Sequence, residues 1–276
     1  MKKKIALLIS DDPHHWYLAA LLRSKFNVVA VVIEPGAKQQ QRLFHKKRYQ
    51  DYLYRSYHHL RRELFRLNVY RRHYFEQAVP ATGFLTDETI TVDWINDSSV
   101  IELLRQTAPD ATIIMGTSIL SKRLLKAAGE MVLNIHGGYL PDYKGNFCFF
   151  FPVYYGDFDK IGSTIHFVDP GIDTGDILEV VVPSIYPEDF KSTFAIAEIL
   201  YCRAEKLAIH RLVSWLEYYQ EGGELPRQTQ MERGHLYRTR DRKPYHDLIL
   251  WLRKLRGQLV LPEHLSEMKG NMTDRE

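Results

Sequence analysis

Short apolar runs alternate along the chain with stretches in which apolar residues recur every three or four positions. Ile5 to Ser10 has strand length and is almost wholly apolar. Leu18, Leu21 and Leu22 then follow at helical spacing, and "NVVAVVIE" (27–34) is a second apolar, β-branched run. Strand, helix and strand within about thirty residues form a βαβ unit, which predicts an α/β fold with a mostly parallel sheet covered on both faces. The pattern resumes with a strand in "TITVDWIND", a helix over 98–106, and a buried strand in "PDATIIMGTSIL" ending at Gly116. A short helix stopped by Gly129 follows, then the strand "MVLNIH". "NFCFFFPVYYGD" reads as partly helical, shortened by Pro152. "GSTIHFV" alternates as a strand does, and "EVVVPSIY" reads as its partner across the tight loop "DPGIDTGDIL". The clearest helix spans 192–219, with Ser192 or Thr193 as cap and Ala197, Leu200, Ala204, Leu207 and Leu212 as its apolar face. Gly222 and Gly223 end it. "YHDLILWLRKLRG" predicts a small amphipathic helix, and the tail 269–276 is expected to fray.

Residues 36–77 interrupt this rhythm. They are rich in Arg, Lys, Tyr and His, and Leu53, Tyr57, Leu60, Leu64 and Leu67 recur three or four apart. One or two amphipathic helices are expected. Two readings stand side by side. The basic residues form a surface for an anionic partner, or they solvate a helical insertion whose tyrosines pack on the sheet.

Composition narrows the class. The chain has 276 residues, 45% hydrophobic and 26% charged, with a formal net charge of +3. That supports a sizeable core and an anionic small ligand without requiring nucleic acid. Cys148 and Cys202 are the two cysteines and lie far apart, so neither a disulfide framework nor a cysteine-based metal site is expected. "MKKKIALLIS" is interrupted by Asp11 and Asp12 and reads as a first strand rather than a leader. No run approaches the roughly 20 apolar residues of a membrane span, and a cytoplasmic location is expected.

The chemistry concentrates in "NIHGGYLPDYKGN", from Asn134 to Asn146. Residues two apart on a strand share a face, so Asn134 and His136 project together into a glycine-proline loop. Asp173 lies in "GIDTGDI", after the strand carrying Ile165 and Phe167. In a parallel sheet, ligands collect at the carboxyl ends of strands, so the two motifs are expected to converge there. An amide that stabilises an oxyanion, a histidine that moves a proton and a carboxylate that orients it suit acyl transfer to an amine.

The pair "NIHGGYLPDYKG" and "STIHFVDPGIDTGDI" resembles the formyltransferase family that uses 10-formyltetrahydrofolate. The resemblance covers about residues 1–190 and is weakest in the insertion. It implies a Rossmann-like catalytic domain over 1–190 with a helical C-terminal extension over 191–276. It also implies Asn134, His136 and Asp173 as the catalytic set. The same resemblance implies a folate pocket lined by Gly116, Ile119, Leu120, Val168, Asp169 and Gly171, and it implies no metal. Gly137 and Gly138 depart from the Pro-Ser found in many members. The first loop, "SDDPHHW", lacks a glycine-rich phosphate cradle, although His14 and His15 sit near a helix N-terminus where an anion is favoured. Their alternative reading is two solvent-exposed histidines.

Within the resemblance, the acceptor is expected to be the amine of a nucleotide-linked amino sugar. Gly137, Gly138 and Tyr139 would lie beside it, Tyr139, Tyr143 and Phe147 would stack on base or sugar, and Lys144 would meet phosphate. The residues after Gly222 look too short and too helical for the C-terminal barrel of the methionyl-tRNA enzyme. A hydroxylated amino acid of the siderophore type, methionyl-tRNA and a nucleic-acid-binding role on the same scaffold are the alternatives. A homodimer is left open.

Overall fold

The computed structural model describes residues 2–76, 89–231, 234–260 and 262. The first part of the chain runs β1 (Lys4–Ile9), α1 (Pro13–Lys25), β2 (Asn27–Ile33), α2 (Gly36–His45), α3 (Tyr49–Leu64), α4 (Leu67–Glu76) and β3 (Thr89–Thr91). Next come α5 (Ser98–Thr107), β4 (Ala111–Met115), α6 (Lys122–Ala127), β5 (Val132–His136), β6 (Tyr143–Gly145) and α7 (Phe150–Tyr155). The remainder is β7 (Ser163–Phe167), β8 (Ile177–Val181), α8 (Ile196–Gln220), β9 (His235–Tyr237) and α9 (Pro244–Leu255). The expected fraying of 269–276 falls outside the described residues.

Seven strands form one sheet in the order β3-β2-β1-β4-β5-β7-β8. The pairs from β3 through β5 are parallel, whereas β7 runs antiparallel to β5 and β8 antiparallel to β7. The fold is therefore α/β and Rossmann-like, with an antiparallel edge. Strand β1 shows why both faces are covered. Ile5, Leu7 and Ile9 point into a core shared with α1 and α8, while Ala6 and Leu8 point into a second core under α5 and α6. This is the period-2 alternation of a strand buried on both sides.

Helix α8 crosses the first core through Cys202, Ala208, Ile209, Leu212 and Leu216. Its start differs from the sequence expectation. Neither Ser192 nor Thr193 caps it with a side chain; instead the Ser192 carbonyl accepts from the Ala195 and Ile196 amides, and the helix opens at Ile196. Leu207 also leaves the expected apolar face and is exposed, because the buried stripe runs through Leu200, Ala204 and Ala208.

The insertion folds as three helices; Leu67 is buried and Tyr70 and Tyr74 pack on the core as expected, but the leucines of α3 turn the other way. Leu53, Leu60 and Leu64 face solvent at 65%, 68% and 73% exposure. His58, Arg61 and Arg71 are buried instead. Arg61 makes a two-pronged bond to Asp247 on α9, at 2.7 and 2.8 Å, and Arg242 reaches the same carboxylate at 2.9 Å. Arg62 and Arg71 both bond Glu198 on α8, at 2.8 and 2.7 Å. These arginines bind helix to helix rather than solvating a surface. A paired guanidinium tolerates burial because its fork geometry matches a carboxylate.

Removing one partner of such a pair strands the other charge. Asp247→Ala leaves Arg61 and Arg242 buried without their carboxylate and is expected to lower unfolding free energy by about 3–5 kcal/mol. Urea denaturation of the purified variant measures this. A loss below about 1 kcal/mol would mean the clamp is solvated.

Candidate active site

Register, not strand polarity, brings the predicted set together. Asn134 on β5 lies opposite His166 on β7, and His136 lies opposite Thr164. Since β7 is antiparallel to β5, its end lies away from the carboxyl end of β5. The expectation that both motifs sit at carboxyl ends of parallel strands therefore fails for the second one. The loop after β7 brings Asp173 back towards the end of β5. Asp169 organises that loop by accepting bonds from the Gly171 amide at 3.0 Å and the Thr174 hydroxyl at 2.7 Å, an Asx turn. Gln230 braces it from outside, donating to the Asp173 and Gly175 carbonyls at 3.1 and 2.7 Å. Asp173 itself adopts a left-handed backbone at φ 52°, a conformation aspartate tolerates better than most residues.

The result is a compact polar cluster. His136 Nδ1 is 3.5 Å from Asp173 Oδ2, and His136 Nε2 is 3.1 Å from the Tyr143 carbonyl oxygen. An imidazole with acceptors at both nitrogens satisfies both when it is protonated, because that form alone donates twice. Asp173 Oδ2 also accepts from the Gly145 amide at 2.9 Å.

His166 completes the cluster and was not anticipated. Its Nδ1 is 2.8 Å from the Phe167 carbonyl, so that nitrogen carries the proton and Nε2 offers a lone pair. The Asn134 amide donates to that lone pair at 3.0 Å. This fixes which end of Asn134 is the amide and leaves its second N–H for a ligand. Burial holds the His166 imidazole below its usual range, with the Asp173 carboxylate partly opposing. A signal was present in "STIHFV": Thr164 and His166 are polar positions two apart, on one face of the strand.

Gly137 and Gly138 have steric reasons. A Cβ on Gly137 would stand 2.7 Å from Tyr201 Cε2 and 3.2 Å from Glu205 Oε1, both on α8. A Cβ on Gly138 would stand 2.6 Å from Cys148 Cβ, 2.7 Å from the Tyr143 carbonyl and closer still to His136 Nε2. Both glycines therefore let α8 and the 143–148 segment close on the histidine. Burial, with Asp173 adding, pushes the Cys148 thiol up, which keeps it inert.

The other predicted residues divide. Gly116, at φ 76°, ends β4 with His15 packed where a Cβ would lie. The loop beyond it is pinned by buried Glu34, whose carboxylate accepts from the Ser118 amide at 2.7 Å and the Ile95 amide at 3.1 Å. Ile119 is exposed in this loop, while Leu120 and Val168 lean on the second core. Tyr143 is buried, stacks on Tyr237 and gives its hydroxyl to Asp157, so it is not free to stack on a base. Lys144 is buried, Tyr139 is half-buried, and Phe147 is half-buried at the mouth of a cleft.

That cleft, of about 1050 Å³, runs between the 10–16 segment, α2, α3 and α4, and reaches Gly116, Phe147 and Tyr201. His14 and His15 line it yet are themselves buried, so the expectation of solvent-exposed histidines does not hold. His14 Nε2 is 2.9 Å from the Tyr201 hydroxyl, and His15 Nδ1 accepts from the Asp12 amide at 3.1 Å. Ligand atoms of Asp12, His14 and His15 lie within 4.8 Å of one another, a spacing suited to a metal ion. Arg71, at 3.4 Å from Asp12, sets a cation against that use.

Burial holds His14 well below the ordinary imidazole range and lowers His15 to about 4. His58 is likewise lowered to about 4, by burial and Arg242. Histidines depressed in the folded state bind fewer protons than in the unfolded chain, so stability is full above the unfolded value of about 6.5 and falls as pH drops towards 4. Burial pushes Glu205 up to about 7, and that group acts in the opposite sense. From pH 7 to pH 5 the net loss is expected to be on the order of 3 kcal/mol. Urea midpoints at the two pH values test it, and equal midpoints would contradict neutral buried histidines.

Comparison with known proteins follows the same lines. Residues 66–198, which include Asn134, His136, His166 and Asp173, match the family described as formyl transferase. A methionyl-tRNA formyltransferase of Anaeromyxobacter dehalogenans is 30% identical over 184 residues, covering 64% of this chain and 56% of that protein. The chain spans between about a third and just over half of the length of the curated relatives it matches first, at 30%, 38% and 56%. A 4-N formyltransferase from Francisella tularensis shares the fold at a TM-score of 0.55 and 16% identity, over 91% of this chain and 87% of that one. A sugar 3N-formyl transferase crystallised in the presence of dTdp and 5-N-formyl-THF shares it at a TM-score of 0.55 and 15% identity, over 95% and 83%. Both motifs lie inside the segment that is similar to the formyl transferase family, and the fold that carries them is shared with these solved structures.

Proposed function

We propose that the protein transfers a formyl group from 10-formyltetrahydrofolate to a primary amine, with Asn134, His136 and Asp173 as the catalytic groups. The observation that carries this reading is the approach of His136 Nδ1 to Asp173 Oδ2 beside the Asn134 amide. When bound, 10-formyltetrahydrofolate supplies the formyl carbon that the acceptor amine attacks. The residues proposed to hold it are Gly116, Ile119, Leu120, Val168, Asp169 and Gly171. At Gly171 the Thr174 hydroxyl fills the place of a Cβ, so this turn of the proposed folate loop closes only with glycine.

The chain's own groups divide the work by charge. Negative charge develops on the formyl oxygen as the amine adds. The N–H of Asn134 not used by His166 donates to that oxygen, and protonated His136 adds a second, charge-assisted donor when its Nε2–H gives up the Tyr143 carbonyl for it. Asp173 keeps His136 oriented and accepts the amine proton directly or through one water, and that proton passes to the donor's nitrogen as its bond to the formyl carbon breaks. The amide of Gly145 holds the carboxylate in place meanwhile.

For the acceptor we favour a nucleotide-linked amino sugar. Support comes from the large cleft, where Arg55, Arg62, Arg71 and Arg72 face the same space as Trp16 and Phe147, a combination suited to phosphate and base. A second reading, methionyl-tRNA, is favoured by the curated relatives, which carry that name.

Loss of one oxyanion donor typically costs 10²–10³ in kcat, so Asn134→Ala is expected to fall by roughly that factor while 5-formyltetrahydrofolate still binds. Asp173→Asn should be at least as damaging, and the double variant should lose little more than the worse single one. A panel of UDP- and dTDP-linked amino sugars, glycinamide ribonucleotide and methionyl-tRNA, assayed with 10-formyltetrahydrofolate, identifies the acceptor. Near-wild-type turnover by His136→Ala on the best acceptor would sink the mechanism.

A further inference from the structure

A second, smaller cavity of about 190 Å³ lies behind the catalytic loop. Its walls come from α3, α4, the start of α8, the 147–150 segment and Arg242. By liquid volume it has room for about six waters. It shares His58, Arg62, Arg71, Phe147 and Tyr201 with the large cleft, and Gly137 with the catalytic loop.

Its charges do not balance. Four guanidiniums surround it, those of Arg61, Arg62, Arg71 and Arg242. Glu198 serves both Arg62 and Arg71, and Asp247 serves both Arg61 and Arg242. Asp12 reaches Arg71 from the cleft side at 3.4 Å. Among the described residues, one guanidinium charge is still unmatched after all three carboxylates are counted. Arginine cannot release its proton to relieve this, and an uncompensated charge in such surroundings costs several kcal/mol.

The unmatched group is Arg242. It is buried, its hold on Asp247 is a single bond beside the two-pronged bond of Arg61, and its Nε has no hydrogen-bond partner. Its guanidinium lies 3.6 Å from the Phe150 ring centre and 5.2 Å from that of Phe147. Burial and Arg61 pull it down to about 10. His58 gives Nε2 to the Thr239 carbonyl at 3.2 Å and keeps Nδ1 without a partner. Phe147, whose ring is 4.3 Å from that of His58, stands between the two cavities on a left-handed backbone of φ 59°. Its strain is consistent with a position dictated by its neighbours rather than by the chain.

We propose that this cavity binds a phosphate-type anion, held by the Arg242 and Arg62 guanidiniums with His58 accepting from a protonated oxygen. A tetrahedral monohydrogen anion offers both an oxygen acceptor and one O–H donor, which matches a cation beside a neutral imidazole acceptor. Two sources share this chemistry: free inorganic phosphate, and a phosphoryl group of a nucleotide extending from the cleft. The site stands apart from the residues proposed to hold folate; binding of a free anion does not depend on the identity of the acceptor, whereas the phosphoryl source rests on the nucleotide-linked reading.

Calorimetry on the full chain in low-chloride buffer tests it, with inorganic phosphate and uridine diphosphate as probes. Arg242→Gln and Arg62→Gln are the variants. Each leaves its carboxylate paired, to Arg61 and to Arg71 respectively, and circular dichroism checks that each folds. Phosphate is expected to bind in the millimolar range or tighter and to weaken at least tenfold in both variants. If uridine diphosphate binds with the same dependence, the anion is a nucleotide's phosphoryl group; if inorganic phosphate alone does, it is a free anion. Binding of neither probe below about 10 mM, or binding that both folded variants retain, overturns the site. Binding of 5-formyltetrahydrofolate should persist in both variants, which separates failure here from failure of the formyl-transfer reading.

Discussion

The site depends on one constraint, the antiparallel register of β7 against β5. It sets Asn134 opposite His166 and His136 opposite Thr164, so that four polar side chains share one patch on one face of the sheet. Strand side chains alternate with a period of two, and a slip by one residue would send the whole set to the other face. Apolar neighbours enforce the pairing: Leu133, Ile135, Ile165 and Phe167 fill the first core from these same two strands. Packing on one face thus decides the chemistry on the other.

The loops then complete what the strands begin. Asp173 arrives from the far end of β7 only because Asp169, Gly171 and Gln230 turn and hold its loop. On the opposite side, α8 presses Tyr201 and Glu205 against Gly137 closely enough to exclude any side chain there. The helix that closes the first core is also the back wall of the reactive loop, so stability and site geometry are coupled through one element.

Buried arginine is the second organising force. Arg61, Arg62 and Arg71 run from the inserted helices into carboxylates of α8 and α9, and Arg242 joins them from the segment before α9. Ion pairs of this kind are weak evidence of net stability, since desolvation offsets their attraction. Their effect is directional. They dictate which face of α3 turns inward, and they line the space beside the catalytic loop with donors suited to an anion.

Much of this was readable from residue order. The βαβ rhythm, the buried run of β1, the strand ending at His136 and the pairing of two reactive motifs are local patterns, because strand and helix periodicities are imposed by each segment's own geometry. The roles of Asn134, His136 and Asp173 came from motif resemblance. The inward face of α3 was not readable: its leucines mark a helical stripe, but burial of Arg61 required the Asp247 carboxylate and burial of His58 the Thr239 carbonyl, both far away in sequence. The antiparallel turn of β7, the fixing of Asn134 by His166 and the reason for two glycines at 137–138 were equally out of reach. Each depends on partners that only the folded chain brings within hydrogen-bond or van der Waals distance, and spacing along a sequence carries no information about them.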